Sequence, residues 1–252
     1  MPLLRTEELV KRFGGVVALD GVSIVVEPSS LTLLIGPNGS GKSTLINVIS
    51  GVYKPDSGRV FLEERDITGW PPHIVHRAGV ARTFQIPEPF MRMTVLENLL
   101  VAANWMRGES PLSALLHRRS WLEEEAKHVE RAFEVLELLD LEHMWNRRAC
   151  ELSGGQLKLL EIGRALMSAP RLVLLDEPVA GVNPKLARVI MDHVLKLRDE
   201  LGVTFLLVEH RLDIVIPYVD CAYAMFKGRI MEEGSPEQVL NSGSVLKAYL
   251  GG

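Results

Sequence analysis

A glycine-rich segment between two apolar runs restricts the possible folds of this chain more than any other feature. Residues 36–44 read Gly-Pro-Asn-Gly-Ser-Gly-Lys-Ser-Thr, and they follow Leu31–Ile35 and precede Leu45–Ile49. Residues 36–43 fit the pattern G-x-x-x-x-G-K-[ST], whose glycines let successive backbone N–H groups curl inward around an anion. The order of strand, loop and helix is the one that this pattern requires. The sequence therefore predicts an α/β domain with a phosphate-binding loop.

The residue types in this loop predict how a nucleoside triphosphate would be held. The Lys42 ammonium group would reach the β- and γ-phosphate oxygens, and the Ser43 hydroxyl would be a ligand of Mg²⁺. The N–H groups of the loop and the following helix N-terminus would hold the α- and β-phosphates. The predicted ligand residues are Gly36, Pro37, Asn38, Gly39, Ser40, Gly41, Lys42, Ser43 and Thr44.

Two carboxylates follow a second apolar run, Leu172–Leu175. This run and Val203–Val208 flank a helix-like segment at 184–200, so the three predict a βαβ unit of buried parallel strands. Asp176 and Glu177 then lie at the carboxyl edge of the sheet, where such folds bind ligands. We expect Asp176 to help hold Mg²⁺ and Glu177 to polarise a water for attack on the γ-phosphate.

A helical block interrupts this α/β pattern between about residues 95 and 167. Apolar residues recur there at steps of three and four, which predicts an amphipathic helix with Leu122, Ala126, Val129, Phe133 and Leu136 on its apolar face. We expect a helical subdomain inserted into a domain built on a parallel sheet.

A second helix start suited to an anion stands at Leu152–Gln156. Ser153 is a good N-cap residue, and two glycines after it leave backbone N–H groups accessible. An ordinary cap would explain the segment taken alone. Two phosphate-binding helix starts in one chain, however, are more than a single nucleotide requires.

Charge and cysteine content exclude several classes of protein. The chain has 28 Lys and Arg against 32 Asp and Glu, so it lacks the positive field of a dedicated nucleic-acid binder. Cys150 and Cys221 fit neither a disulfide framework nor a zinc site, which favours a reducing compartment. Because no apolar run approaches the roughly 18 residues of a membrane span, work at a membrane would need a partner that spans it.

The loop at residues 36–44, the Asp176–Glu177 pair and Leu152–Gln156 together resemble the motifs of the nucleotide-binding subunit of ABC transporters. The resemblance covers essentially the whole chain. It implies a P-loop ATPase fold with a mostly parallel core sheet, antiparallel N-terminal strands and an inserted helical subdomain. It also implies two subunits facing head to tail, with each ATP between the loop of one chain and the signature motif of the other. The signature residues here are Ser153, Gly154, Gly155 and Gln156.

The resemblance implies roles for four further positions. Gln85 matches the Q-loop glutamine, which contacts Mg²⁺ or the attacking water and signals to the permease. His210 matches the switch histidine that contacts the γ-phosphate, and Phe13 matches the aromatic residue that stacks on adenine. Residues 180–183 match the D-loop, which crosses the dimer interface. Without the resemblance, a surface glutamine, a structural histidine and a core phenylalanine would be the favoured interpretation.

Three short segments are similar to the corresponding segments in the branched-chain amino acid uptake branch of this family. Two other sites differ from bacterial members of that branch and are similar to archaeal members. The segments are Arg82–Gln85, Met93–Leu100 and Glu177–Pro184, and the two other sites are Leu157–Gly163 and Arg211. Importers of urea and short amides share the segments, and the lipopolysaccharide-export ATPase is a further relative. These solutes therefore stay open as alternatives.

The resemblance also implies partners and a location. We expect transmembrane permease subunits, a second ATPase subunit in a homodimer or a heterodimer, and an indirect link to an external solute-binding protein, all without nucleic acid. The chain would then lie at the cytoplasmic face of the cell membrane, held by the permease. In this family a permease helix docks beside the Q-loop, so residues 86–91 should line that groove with Phe90 and Met91 exposed. Packing between subdomains is the alternative for these two side chains.

Three parts are predicted along the chain. Residues 1–92 would begin the ATP-binding core, residues 93–160 would form the helical subdomain ending in the signature motif, and residues 161–252 would complete the core. A soluble ATPase acting on DNA or ribosomes would carry a long coiled-coil insertion or two phosphate loops, which are not seen. A P-loop kinase of small molecules would leave Leu152–Gln156 and His210 without a role.

Overall fold

The structure, a computed structural model, describes residues 1–83, 89–103 and 118–250. The chain forms two compact units, an α/β unit of Met1–Gln85 with Arg171–Gly252 and a helical unit of Ile86–Pro170. The helical unit is longer at both ends than the predicted 93–160 block. At its start, the side chain of Asn98 holds the backbone of Phe90. At its end, the signature helix continues to Leu166 and packs within the unit.

The described residues form strands, α-helices and short 3-10 helices. The strands are β1 (Leu4–Phe13), β2 (Val16–Val22), β3 (Val25–Val26), β4 (Leu31–Ile35), β5 (Ser57–Leu62), β6 (Arg65–Asp66), β7 (Val80–Arg82), β8 (Leu172–Asp176), β9 (Thr204–Val208), β10 (Cys221–Phe226) and β11 (Arg229–Gly234). The α-helices are α1 (Lys42–Ile49), α2 (Pro72–Arg77), α3 (Val95–Ala102), α4 (Arg118–Leu138), α5 (Gly154–Leu166), α6 (Pro184–Leu201), α7 (Leu212–Val215), α8 (Pro236–Asn241) and α9 (Gly243–Leu250). Short 3-10 helices span Glu142–Met144, Ala149–Glu151 and Ile216–Tyr218.

The core sheet is mostly parallel, as predicted. Its order in the described chain is β11-β10-β4-β9-β8-β7, and every neighbouring pair is parallel except β10 with β11. Strands β8 and β9 pair in parallel on either side of α6 in sequence, which confirms the predicted βαβ unit. The strand β4 is buried along its whole length, because both faces of the sheet are covered.

The second sheet is antiparallel and has the order β2-β1-β5-β6, with β3 also pairing with β1. The predicted antiparallel N-terminal strands are therefore confirmed, but the central strand β1 was missed in the sequence. Its buried residues change from even to odd positions between Thr6 and Leu9. A bulge causes this shift, because Glu8 has a φ of 44° and the pairing with β5 slips between Glu7 and Val10.

The two elements that flank the phosphate loop, β4 and α1, pack into one apolar cluster. Side chains of α1, of the parallel sheet and of the antiparallel sheet meet in it, among them Leu34, Leu45, Ile46, Leu174, Leu206, Leu4 and Leu9. The loop follows β4 and precedes α1, so burial of both neighbours fixes its two ends. Burying such side chains contributes about 1.5–3 kcal/mol each.

The helix α4 exists as predicted, but its buried face differs from the predicted stripe. Leu136 is buried together with Ala132 and Val135, whereas Ala126 and Phe133 are exposed. The Phe133 ring lies instead against the ring of Trp145, with centroids 5.9 Å apart. The side chain of Leu122 lies outside the described residues.

Candidate functional site

The loop after β4 has a backbone that glycine accommodates best. Gly36, Gly39 and Gly41 all have φ values between 76° and 153°, a region that other residues rarely enter. A Cβ atom on Gly36 would lie 2.3 Å from the carbonyl oxygen of Met225, and one on Gly41 would lie 2.5 Å from that of Ala18. Two of the glycines therefore also let neighbouring strands approach the loop closely.

Lys42, the first residue of α1, points back into the loop. It is 6% exposed, and its Nζ donates to the carbonyl oxygens of Gly36 at 2.7 Å and Pro37 at 3.1 Å. Burial lowers the pKa of the Lys42 ammonium group, while the carboxylates of Glu177 and Asp176 oppose that shift. The ammonium group is thus held beside the loop with little water around it.

A cleft of about 300 Å³ opens over this loop. Its walls come from β2, from the loop with the first turn of α1, and from the ends of β8 and β9, and they include Val17, Ser40, Lys42, Glu177 and His210. The buried Oγ of Ser40 has no hydrogen-bond partner among the described residues. An unpartnered hydroxyl, a buried cation and a glycine loop together fit a polyphosphate.

Asp176 ends β8 within an ion pair. Its Oδ2 lies 3.1 Å from Nη2 of Arg82, whose Nη1 donates to Oδ1 of Asn47 at 2.6 Å. Ser43, which lines the cleft, and Asp176, which ends β8, offer the oxygen ligands that Mg²⁺ prefers. No group of three or more His, Cys, Asp or Glu side chains in the described chain could hold a metal alone. Bound Mg²⁺ would thus need phosphate or water oxygens as further ligands.

Glu177 and His210 meet at the edge of the cleft. Oε1 of Glu177 lies 3.3 Å from Nε2 of His210, so the structure brings together two residues that are far apart in sequence. Glu177 has a φ of 51°, which for a non-glycine residue costs of order 1–3 kcal/mol. Its N–H donates to the carbonyl oxygen of Val208 at 2.9 Å, which attaches it to the end of β9.

In the helical unit, Ser153 caps α5 as the sequence predicts. Its hydroxyl accepts from the N–H of Gln156 at 3.4 Å, and Oε1 of Gln156 accepts from the N–H of Ser153 at 2.9 Å. The helix therefore begins at Gly154, directly after the predicted cap. Ser153 and Gly154 are exposed, whereas Gly155 is buried, so the accessible part of this helix start is Ser153 with Gly154.

Phe13 is not a core residue. It is 42% exposed and packs edge-on against Tyr53, with ring centroids 5.1 Å apart. Asn183, the last residue of the 180–183 segment, caps α6 by accepting from the N–H of Leu186 at 3.0 Å. Gln85 lies outside the described residues, so its predicted role stays a prediction.

Comparison with known proteins decides the family. A family profile described as ABC transporter matches residues 19–180. The chain belongs to the ABC transporter family. The predicted P-loop fold of the ABC ATPase type is confirmed, because this chain is 52% identical to the ADP conformation of an ATP-binding cassette of an ABC transporter, with a TM-score of 0.88 over 100% of both chains.

The ABC relatives with curated names include archaeal and bacterial proteins. A probable branched-chain amino acid transport ATP-binding protein, LivG of Methanocaldococcus jannaschii, is 53% identical over 100% of this chain and 98% of its own length. LivG of Escherichia coli K12, named as a high-affinity branched-chain amino acid transport ATP-binding protein, is 38% identical over 99% of this chain and 98% of its own length. The predicted resemblance to archaeal members is confirmed.

Across residues 1–83, 89–103 and 118–250, no helix has the length and apolar character that crossing a membrane requires.

Proposed function

We propose that this chain is the ATP-hydrolysing subunit of an importer for branched-chain amino acids. The observation that carries the proposal is the pairing of Glu177 with His210 in the cleft above the phosphate loop, in a chain whose full-length relatives are named for this transport. Permease subunits would hold it peripherally at the cytoplasmic face of the membrane. An external binding protein would deliver the solute to those permease subunits.

In the proposed reaction, the chain's own residues divide the work of binding and hydrolysis. The loop amides and Lys42 bind the triphosphate, and Phe13 stacks on adenine. Glu177 takes a proton from the attacking water as general base, and His210 contacts the γ-phosphate and orients that carboxylate. Ser43 and Asp176, with Gln85, would hold Mg²⁺, which neutralises charge on the β- and γ-phosphate oxygens when bound.

The proposed active form is a pair of ATPase subunits. Ser153, Gly154, Gly155 and Gln156 of one chain would complete the nucleotide site on the phosphate loop of the other. Exposure of the Ser153–Gly154 helix start supports this arrangement, because an exposed helix N-terminus is suited to an anion. The second chain is either a copy of this one or a companion ATPase.

Reconstitution with the permease subunits, companion ATPase and binding protein of the same organism tests the proposal. We expect vesicles to accumulate labelled leucine, isoleucine and valine when ATP is present on the ATPase side, and to exclude urea. A complex carrying Glu177→Gln is the matched control and should not transport. Preferential uptake of urea or an amide would show that the importer carries that solute instead of branched-chain amino acids. Leucine uptake that is the same without ATP would overturn the proposal.

A further inference from the structure

Glu209 is a buried carboxylate that uses both oxygens to hold backbone amides. It follows β9 and is 1% exposed. Its Oε1 accepts from the N–H of Val179 at 2.9 Å, and its Oε2 accepts from the N–H groups of His210 at 2.9 Å and Arg211 at 3.1 Å. A single side chain therefore joins the loop after β8 to the segment after β9.

Arg211 makes a second connection between the same two segments. Its Nη1 donates to the carbonyl oxygen of Val182 at 2.9 Å. With the bond from the Glu177 N–H to the Val208 carbonyl, the loop at 177–182 is attached at its beginning, middle and end. Hydrogen bonds to a charged group typically contribute more than neutral ones, so two of these three connections are strong.

These connections act on a strained residue. Glu177 has a left-handed backbone, and such a conformation persists when the surrounding structure determines it through several contacts. The same connections hold the backbone of His210, whose ring lies 3.3 Å from the Glu177 carboxylate. Glu209 and Arg211 thus join the two backbone segments that carry these side chains.

We infer that Glu209 and Arg211 are positioning residues for ATP hydrolysis, which act by fastening the loop of Glu177 to the segment of His210. The inference rests on the proposed ATPase function. A positioning role predicts a lower kcat with unchanged ATP binding, because neither side chain is among those lining the cleft. It also predicts that Glu209 acts through the arrangement of Glu177 with His210.

Glu209→Gln tests this role because it keeps the volume but turns one acceptor oxygen into a donor that faces backbone donors. Losing one or two such bonds corresponds to a fall in kcat of roughly 10- to 100-fold. Amide hydrogen exchange without nucleotide should become faster at residues 177–182 and 208–211. Glu161→Gln is the matched control, because Glu161 is also a buried glutamate (8% exposed), paired with Arg164 in the helical unit. It should change neither kcat nor exchange in these segments.

A double-mutant cycle separates positioning from general packing. Glu209→Gln combined with His210→Ala should lose less activity than the product of the two single losses, because both substitutions act on the same arrangement of Glu177 with His210. Independent, multiplicative losses would overturn the inference, as would wild-type kcat in Glu209→Gln. If the Glu209 variant does not fold, Arg211→Met decides, since it removes the bond to Val182 and, besides that bond, a long ion pair of 3.9 Å with the exposed Asp213. It should lower kcat by roughly three- to tenfold, and an unchanged kcat would overturn the inference.

Failure of the ATPase proposal and failure of the positioning role would give different results. A wild-type chain that does not hydrolyse ATP, alone or with its partners, would overturn the ATPase proposal and the positioning role with it. If the wild-type chain hydrolyses ATP and Glu209→Gln does so equally well, the ATPase proposal stands and the positioning role alone is wrong.

Discussion

At the scale of single residues, Lys42 and Glu177 line one cleft with opposite charges and separate tasks. Lys42 is buried against the loop carbonyls, so its ammonium group is poorly hydrated before nucleotide binds. The negative charge of a polyphosphate would compensate for the missing hydration of this ammonium group, which favours binding. Glu177 lies beside His210 in the same cleft, where it would act on water rather than on phosphate.

Replacing Glu177 should separate hydrolysis from binding. Glu177→Gln keeps the shape of the side chain but removes the general base, so kcat should fall by roughly 10²–10⁴-fold. ATP affinity should stay at the wild-type value, measured by equilibrium titration of the purified protein. Wild-type turnover in this variant would remove Glu177 from the role of base.

Replacing Lys42 should weaken binding itself. Lys42→Ala removes a charged donor to the phosphates, so ATP affinity should fall by roughly 10- to 100-fold. Lys247→Ala is the control, because Lys247 is an exposed lysine in α9. The same titration measures both variants, and equal affinities for ATP would rule out the predicted contact.

The residues of the site could be predicted from short motifs, but their ion-pair and hydrogen-bond partners could not. Asp176 was found because it ends an apolar strand, whereas its ion pair with Arg82 joins positions far apart in sequence. The segment containing Arg82 was noted without any indication of that contact. Glu209 gave no signal either, because a lone glutamate after a strand does not reveal that its carboxylate is buried against backbone amides.

At the scale of elements, the helical unit depends on close packing at Gly163. A Cβ atom on Gly163 would lie 2.9 Å from Cδ1 of Leu139, 3.1 Å from Cδ2 of Leu99 and 3.3 Å from Cγ1 of Val135. The helix α5 therefore approaches α3 and the end of α4 along a face without a side chain. The neighbouring atoms are tips of flexible side chains, so they can yield to a small group but not to a branched one.

Gly163→Val should therefore destabilise the protein. Overpacking of this kind costs about 1–3 kcal/mol in the free energy of unfolding. Gly243→Ala is the control, because a Cβ there meets nothing within 4 Å at the start of α9. Denaturant unfolding measures both variants. An unfolding free energy for Gly163→Val equal to that of the wild type would show that the leucines move aside without cost.

Phe90 and Met91 form an exposed apolar pair next to α3. They are 47% and 46% exposed, and the buried Asn98 side chain holds the Phe90 backbone through bonds of 2.8 and 3.1 Å. If they contact the permease, Phe90→Ser with Met91→Gln should spare basal ATPase activity and abolish solute uptake in reconstituted vesicles. Loss of folding or of basal hydrolysis would instead support a packing role.

The elements themselves could be predicted where the apolar pattern is continuous. The strands β8 and β9 are uniformly apolar and were located within a residue or so, as was α6. The strand β1 was missed because the bulge at Glu8 breaks its alternation, and the apolar stripe of α4 was placed on the wrong face at Phe133. Such shifts depend on neighbouring elements rather than on local periodicity.

At the scale of the whole molecule, the phosphate loop and the Ser153 helix start belong to different compact units. Each has the geometry of an anion site, and the proposed function uses both for one nucleotide held between two chains. Pairing should thus require ATP, because the γ-phosphate would be held by Lys42 of one chain and by the helix start of the other. Hydrolysis should then release the pair.

Sedimentation of the Glu177→Gln protein with and without Mg²⁺ and ATP tests this account most directly, because the variant should bind ATP without consuming it. We predict a monomer without nucleotide and a dimer with ATP, formed by this chain alone or with its companion ATPase. Adding Ser153→Arg to the variant should prevent the dimer while leaving ATP bound. A species that stays monomeric at saturating ATP, both alone and mixed with the companion, would contradict the proposal that two chains share each nucleotide.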